Sequence, residues 1–253
     1  VWFSDTTKVT PLALYIHGGG FVSGSKERIN ALELKELLAS GIAVASINYR
    51  FLADAPLPAA HWDALRALQF VRSKATEWMI DKDKIAAFGG SAGAQLSMWL
   101  AFSDDMADPD AEDPVERESS RLSCVASRGG QTTMDIGWWK EWIPGFNKLH
   151  YTREQLYGMM TDEEIGQAVE DISALSIITS DDPPIFMRYG MPPDEAIPSD
   201  PKRVRGWQIH HVMFGIKLQE KMKAIGVEAH LQYPGTEGVF PSKVDFLKAK
   251  LLD

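Results

Sequence analysis

The sequence predicts an α/β fold, a doubly wound and mostly parallel sheet with helices on both faces. Two observations carry that expectation. Short apolar runs at 12–16, 42–47 and 85–88 have the unbroken hydrophobicity of strands buried on both faces. Between them lie longer stretches with helical spacing, and strand, helix, strand is the rhythm of βαβ units.

The elements follow in order. Run 12–16 ends in three glycines, as a buried strand does on reaching the edge of a parallel sheet. From 26 to 40 the leucines at 32, 34, 37 and 38 recur at helical spacing, and Gly41 stands where a helix C-terminus favours positive φ. Strand 42–47 comes next, then a helix at 61–73, a strand at 85–88 and a helix at 91–102. A strand at 122–126 follows a polar loop. Strands at 185–189 and 227–232 flank a helix expected at about 208–225, and a helix at 242–251 ends the series.

Between 137 and 180 the strand rhythm is lost, and Trp138, Trp139, Trp142, Phe146 and Tyr151 crowd into a helical and looped segment. It reads as a small helical cap inserted over the carboxyl edge of the sheet. Trp138 and Trp142 are four apart and share a helical face, which either lines a pocket or glues the cap to the body; gluing is the preferred reading. No repeat, low-complexity tract or linker divides the chain, so 1–253 reads as one domain with the cap at about 137–180.

Composition removes several function classes. At 253 residues and 45% hydrophobic composition the chain can bury a large core. A formal net charge of -9, with Lys and Arg scattered, repels phosphate backbones and argues against nucleic acid. No apolar run reaches membrane-spanning length and no signal-peptide pattern is visible, so a soluble protein is expected. The start at Val1 leaves cytoplasmic and exported locations both open. The one cysteine, Cys124, sits in an apolar run and reads as core. The acidic stretch 104–113 lacks the ligand spacing and central glycine of a calcium loop. No cofactor is expected: dinucleotide, phosphate-loop and metal-ligand spacings are all missing.

Chemistry is carried by two glycine-rich segments. Gly89-Gly90-Ser91-Ala92-Gly93 matches G-x-S-x-G between a strand and a helix, where small residues permit a sharp turn that lifts Ser91 Oγ out of the sheet. The helix N-terminus behind it favours developing negative charge. His17-Gly18-Gly19-Gly20 also follows a strand and falls on the same sheet edge. The amides of Gly19, Gly20 and Ala92 are assigned to an oxyanion hole, each such donor being worth about 3 kcal/mol of barrier. His17 is expected to orient the loop rather than move protons.

With these motifs the chain resembles the carboxylesterases related to hormone-sensitive lipase and the bacterial acetyl-esterase-like α/β-hydrolases. The resemblance extends to Asn48-Tyr49-Arg50, to the approach Pro56-Leu57-Pro58 before a helix carrying Asp63, and to Asp181-Asp182-Pro183-Pro184. The family's first two strands are reduced or missing here. The resemblance implies the α/β-hydrolase fold and hydrolysis of small or medium acyl esters through an acyl-enzyme on Ser91, with a small-molecule ester as partner. Oligomeric state is outside what it implies.

The chain departs from the family at the other two triad members. The family's acid follows the strand equivalent to 185–189; here Asp194 is the candidate, one residue late, with Asp200 in reserve. The histidine position is Gly238, in Pro234-Gly235-Thr236-Glu237-Gly238-Val239-Phe240. Among the other histidines, His230 lies in a strand, His150 in the cap and His61 at a helix start. His210 and His211 begin the helix after the acid loop. His211 is chosen as the base because it continues that helix's apolar stripe through Leu218 and Ile225; its plainer role is a buried or capping side chain. Glu237 ranks below it. The competing function is a degenerate hydrolase that binds a ligand or partner without turnover, and Gly238 is the feature in its favour.

Overall fold

The computed structural model describes residues 1–252. Six strands form one parallel sheet in the order β2-β1-β3-β4-β5-β6. In chain order, β1 (Thr10–Ile16) is followed by a 3-10 turn (Lys26–Arg28), α1 (Ala31–Ala39), β2 (Ala43–Ile47), α2 (Ala59–Ser73) and α3 (Ala75–Trp78). Then come β3 (Ile80–Gly90), α4 (Ala92–Phe102) and β4 (Cys124–Arg128). Four helices, α5 (Ile136–Trp142), α6 (Arg153–Tyr157), α7 (Asp162–Asp171) and α8 (Ala174–Ile177), precede β5 (Ile185–Arg188). The described chain closes with α9 (Pro201–Ile209), α10 (Met213–Ala224), β6 (Ala229–Gln232) and α11 (Lys243–Leu252).

Strand periodicity sorts the apolar side chains onto two faces. Leu12, Leu14 and Ile16 of β1, Ile85 and Ala87 of β3, Val125 of β4 and Met187 of β5 face a core completed by α2, α4 and α10. Ala13, Ala86, Phe88, Cys124, Ala126 and Phe186 point the other way, against Leu37 of α1 and Val244, Phe246, Leu247 and Leu251 of α11. Helices thus cover both faces, which explains why these strands read as continuous apolar runs. Cys124 is fully buried, and desolvation pushes its thiol up to about 12.

Two expected helices differ in extent. The one at 26–40 starts late because Asn30 caps it, accepting from the amides of Leu32 (2.9 Å) and Glu33 (3.1 Å). The one at 208–225 is two helices. Asp200 caps α9 by accepting from Lys202 N, with Pro201 at the first turn, so the helix begins seven residues early. It stops at His210, whose backbone leaves helical geometry (φ -118°, ψ 24°), and α10 restarts after Val212.

The segment between β4 and β5 is helical and glued down by aromatic contacts. Trp138 stacks on Phe214 of α10 at 5.2 Å, and Lys217 Nζ lies 3.9 Å from the Trp142 ring centroid. Buried Gln95 of α4 donates to Ile172 O (2.7 Å), and Trp99 Nε1 to Asp171 O (3.0 Å). Among the described residues no helix is long and apolar enough to cross a membrane.

Candidate active site

Ser91 sits between β3 and α4 at φ 53°, ψ -122°, a conformation that costs a non-glycine residue about 1–3 kcal/mol. Three constraints hold it there. Ser91 N donates to Arg128 O of β4 at 2.9 Å. A Cβ at Gly93 would lie 2.0 Å from Ile16 O, and one at Gly89 2.5 Å from the same oxygen. That oxygen is β1 backbone and cannot retreat without dislocating the sheet, so glycine at both places lets the turn press onto β1. The Ala92 amide is one of the helix-start N–H groups that no intrahelical carbonyl satisfies.

The β1 loop closes against this turn. A Cβ at Gly18 would stand 2.6 Å from Gly90 O and 3.5 Å from Ser91 Cβ, so the loop and the serine are in contact. Gly19 (φ 129°) and Gly20 (φ 60°) follow in left-handed geometry, and Gly19 O accepts from Val22 N and Ser23 N. The Tyr151 hydroxyl covers Gly20 so closely that a Cβ there would lie 2.8 Å from it. His17 is fully buried, stacked on Tyr49 at 4.4 Å, with Nδ1 2.8 Å from Gly18 O. Tyr49 Oη donates to His17 O at 2.9 Å. Burial depresses the His17 pKa, and these contacts hold the loop.

The histidine on Ser91 is His210 rather than His211: His210 Nε2 lies 3.0 Å from Ser91 Oγ. The break between α9 and α10 is the physical reason. As the last residue of the α9 turn, His210 swings over Gly129, where an added Cβ would meet its ring at 3.3 Å. His211 is fully buried, edge-on to Trp207 at 4.5 Å, and its Nδ1 accepts from Met213 N (3.3 Å) at the start of α10. The apolar stripe that recommended His211 draws it into the core. Desolvation lowers its pKa to about 4. His210 is also lowered, first by burial and further by Arg128, against a backbone hydrogen bond with Gly206 that favours the charged ring.

The acid candidates do not join this pair. Asp194 stands exposed in the turn after β5, Asp200 caps α9, and Glu237 and Gly238 are exposed beyond β6. Among the described residues no carboxylate hydrogen-bonds His210. His61 is buried on Gln95 (3.0 Å) with its pKa lowered to about 3 by desolvation, and His230 pairs with Glu228 (2.6 Å). The remaining motifs brace loops: Arg50 pairs with Asp63 (2.8 Å), Asn48 Oδ1 accepts from Lys26 N (2.7 Å), and Asp182 pairs with Arg121 (3.1 Å). Sequence reasoning set His210 aside although it stood next to the residue chosen. The usable signal was Asp200-Pro201, which starts a helix early enough for residue 210 to be its end.

A cavity of about 700 Å³ opens over the pair, lined by Ser91, His210, Gly18, Tyr15, Met191 and Trp207 among others. Among the described residues no cluster of His, Cys, Asp or Glu has the arrangement of a metal site.

The BD-FAE family model matches residues 3–202, most of the chain. The chain belongs to the BD-FAE family. The matched region holds the Gly18–Gly20 loop and Ser91 and ends within α9, short of His210. This BD-FAE chain is 38% identical to an arylesterase of Saccharolobus solfataricus over 85 residues, which are 34% of this chain and 28% of that protein. The chain therefore covers well under half the length of the curated relatives it matches. Two solved structures share its fold. An acetyl ester-xyloside bifunctional hydrolase from Caldicellulosiruptor lactoaceticus superposes with a TM-score of 0.71 at 24% identity, covering 92% of this chain and 75% of that one. A truncated carbohydrate esterase from gut microbiota gives 0.73 at 21% identity, over 98% and 88%. The fold is the α/β-hydrolase fold.

Proposed function

We propose that this chain is a serine carboxylester hydrolase acting on small or medium acyl esters, with Ser91 as nucleophile and His210, in place of His211, as base. The observation that carries the reading is the 3.0 Å contact between His210 Nε2 and an Oγ held on a strained strand-to-helix turn. Family membership and the esterase names of its relatives support the same reaction class.

The chemistry runs in two halves. His210 takes the hydroxyl proton as Ser91 Oγ attacks the ester carbonyl, and the carbonyl oxygen becomes an oxyanion held by the amides of Gly19, Gly20 and Ala92. The imidazolium then returns the proton to the departing alcohol, leaving an acyl group on Ser91. Water, deprotonated by the same ring, attacks that acyl carbon, and the acid leaves as the serine regains its proton. The helical segment at 137–180 acts as a cap, with Tyr151 shielding the Gly20 side. Beside His210 the described residues offer the backbone of Gly206, which favours the charged ring, and no hydrogen-bonded carboxylate. Loss of the acid alone lowers turnover about 10⁴-fold in comparable triads, so esters with good leaving groups are the ones to offer.

A second reading, a ligand-binding protein without turnover, is favoured by the missing carboxylate beside His210. Hydrolysis of p-nitrophenyl acetate and butyrate, compared with Ser91→Ala, separates the two. The enzyme loses its rate in the variant; a rate equal in both proteins puts the binder ahead.

A further inference from the structure

The floor of the Ser91 cavity is strongly cationic in a chain whose net charge is -9. Arg128, Arg188, Lys202 and Arg203 line it with the one carboxylate of Glu195; Arg128 and Arg188 also border a neighbouring cavity lined by Glu33 and Glu36. Arg128 and Arg188 end β4 and β5 as registered partners, so their side chains leave the sheet side by side from strands about 4.8 Å apart. Like charges directly opposite one another destabilise a sheet. Yet among the described residues none of the four cations has an ion-pair partner, and Glu195 has none either. Outside the cavity, among the described residues, Arg50, Arg66, Arg121 and Arg153 are ion-paired, whereas Arg28, Arg72, Arg117 and Arg205 are not. Two adjacent, unpaired guanidinium groups beside a nucleophile form a ready fork for a planar anion.

Resting on the esterase reading, we infer that the substrate is the acyl ester of a hydroxy acid, whose carboxylate sits on Arg128 and Arg188 with Lys202 and Arg203 behind them. The position of the charge within the substrate follows from sheet order. Ser91 follows β3; the amides of Gly19 and Gly20 follow β1 on one side of it, whereas Arg128 and Arg188 follow β4 and β5 on the other. His210 lies on that second side, over Gly129. Because His210 hands its proton to the departing oxygen, the alcohol half of the ester takes the His210 side and meets the arginines. The anion therefore belongs to the alcohol, and the acyl half is uncharged.

The pair 4-acetoxybenzoate and 4-acetoxybenzamide tests this, since they exchange a carboxylate for a neutral carboxamide at one position of the alcohol half, and the carboxamide's slightly better leaving group works against the expected preference. The expected result is a kcat/KM at least tenfold higher for the benzoate at low ionic strength. That preference shrinks as sodium chloride is raised and collapses towards unity in the double variant Arg128→Gln/Arg188→Gln. Both arginines are exposed, so the variant folds, which a thermal melt checks. Ser91-dependent hydrolysis of both esters at equal kcat/KM overturns the inference and leaves the esterase standing, as does a preference that survives the double variant. Failure of both esters to show any Ser91-dependent hydrolysis takes down the esterase reading and the inference together. Preference for p-nitrophenyl hydrogen succinate over p-nitrophenyl valerate, without one for the benzoate, also overturns it, by moving the charge to the acyl half.

Discussion

The two flanks of Ser91 are built by different means. On the β1 side the surfaces that face Ser91 are backbone: the Gly18–Gly20 loop, the Gly89–Gly93 turn and the α4 N-terminus meet at separations only glycine permits, with His17, Tyr49 and Tyr151 bracing them from behind. On the β5 side one side chain, His210, reaches Ser91 from the point where α9 gives way to α10, and among the described residues no carboxylate hydrogen-bonds it. A backbone-built flank tolerates little local change, because its glycines press against the main chain of β1 and β3. A flank resting on one side chain at a helix junction has alternatives open to it.

The most severe test of that contrast exchanges the two neighbouring histidines. His210→Ala is expected to lower kcat on p-nitrophenyl butyrate by about three to six orders of magnitude. His211→Ala instead lowers the melting temperature, by removing a buried side chain whose Nδ1 accepts from the Met213 amide at the start of α10, and leaves kcat of the folded protein within an order of magnitude. Steady-state kinetics beside thermal melts distinguish them, and reversed outcomes would break the comparison. Gly238→His in the His210→Ala background is expected to restore nothing, since position 238 is exposed beyond β6 and does not line the cavity.

Next in size is Gly93→Ala. Its Cβ meets Ile16 O at 2.0 Å, and the variant is expected to lose more than about 4 kcal/mol or to fail to fold. Gly238→Ala, whose nearest neighbour is Phe240 O at 3.3 Å, should be near neutral. Denaturant titration of the two gives the difference.

Acidity offers a more graded probe. His210 must be neutral to accept a proton, and burial holds its pKa below the ordinary histidine value of about 6.5. The acid limb of kcat/KM should therefore fall below that value. Stability follows the same sign. With His211 near 4 and His61 near 3, the unfolded chain binds more protons than the folded one below about pH 6.5, so the melting temperature should drop as pH falls from there towards 4. A melting temperature flat across that interval would contradict the buried, neutral assignment. The smallest effect is expected for Asp194→Asn, which should change kcat/KM less than about twofold, as surface substitutions away from partners do. A tenfold loss would mean that this carboxylate reaches His210 during turnover.

The same division governs what could be read from the sequence. The strand sequence, both helix layers and the sharp turn at Ser91 were legible because each rests on a local rule: apolar runs buried on two faces, leucines at helical spacing, and glycines where a close approach leaves no room for a Cβ. His210 was not legible. One residue separates it from His211, and the choice turns on a helix ending at 209, which hydrophobic periodicity overrode by running one helix from 208 to 225. The tryptophans of α5 read correctly as glue, because Trp138 and Trp142 four residues apart must share a face and α10 supplies Phe214 and Lys217 beneath it. Asp194 was placed by loop spacing, and a loop fixes neither direction nor burial; it points into water.

Residue 128 has two independent attachments. Its carbonyl receives the Ser91 amide, while its side chain projects from the sheet edge into the cavity. A substitution there alters a side chain that lines the cavity but leaves the main-chain bond that steadies the Ser91 turn. The lining of the cavity at this position can therefore change by one codon without breaking the bond that holds that turn.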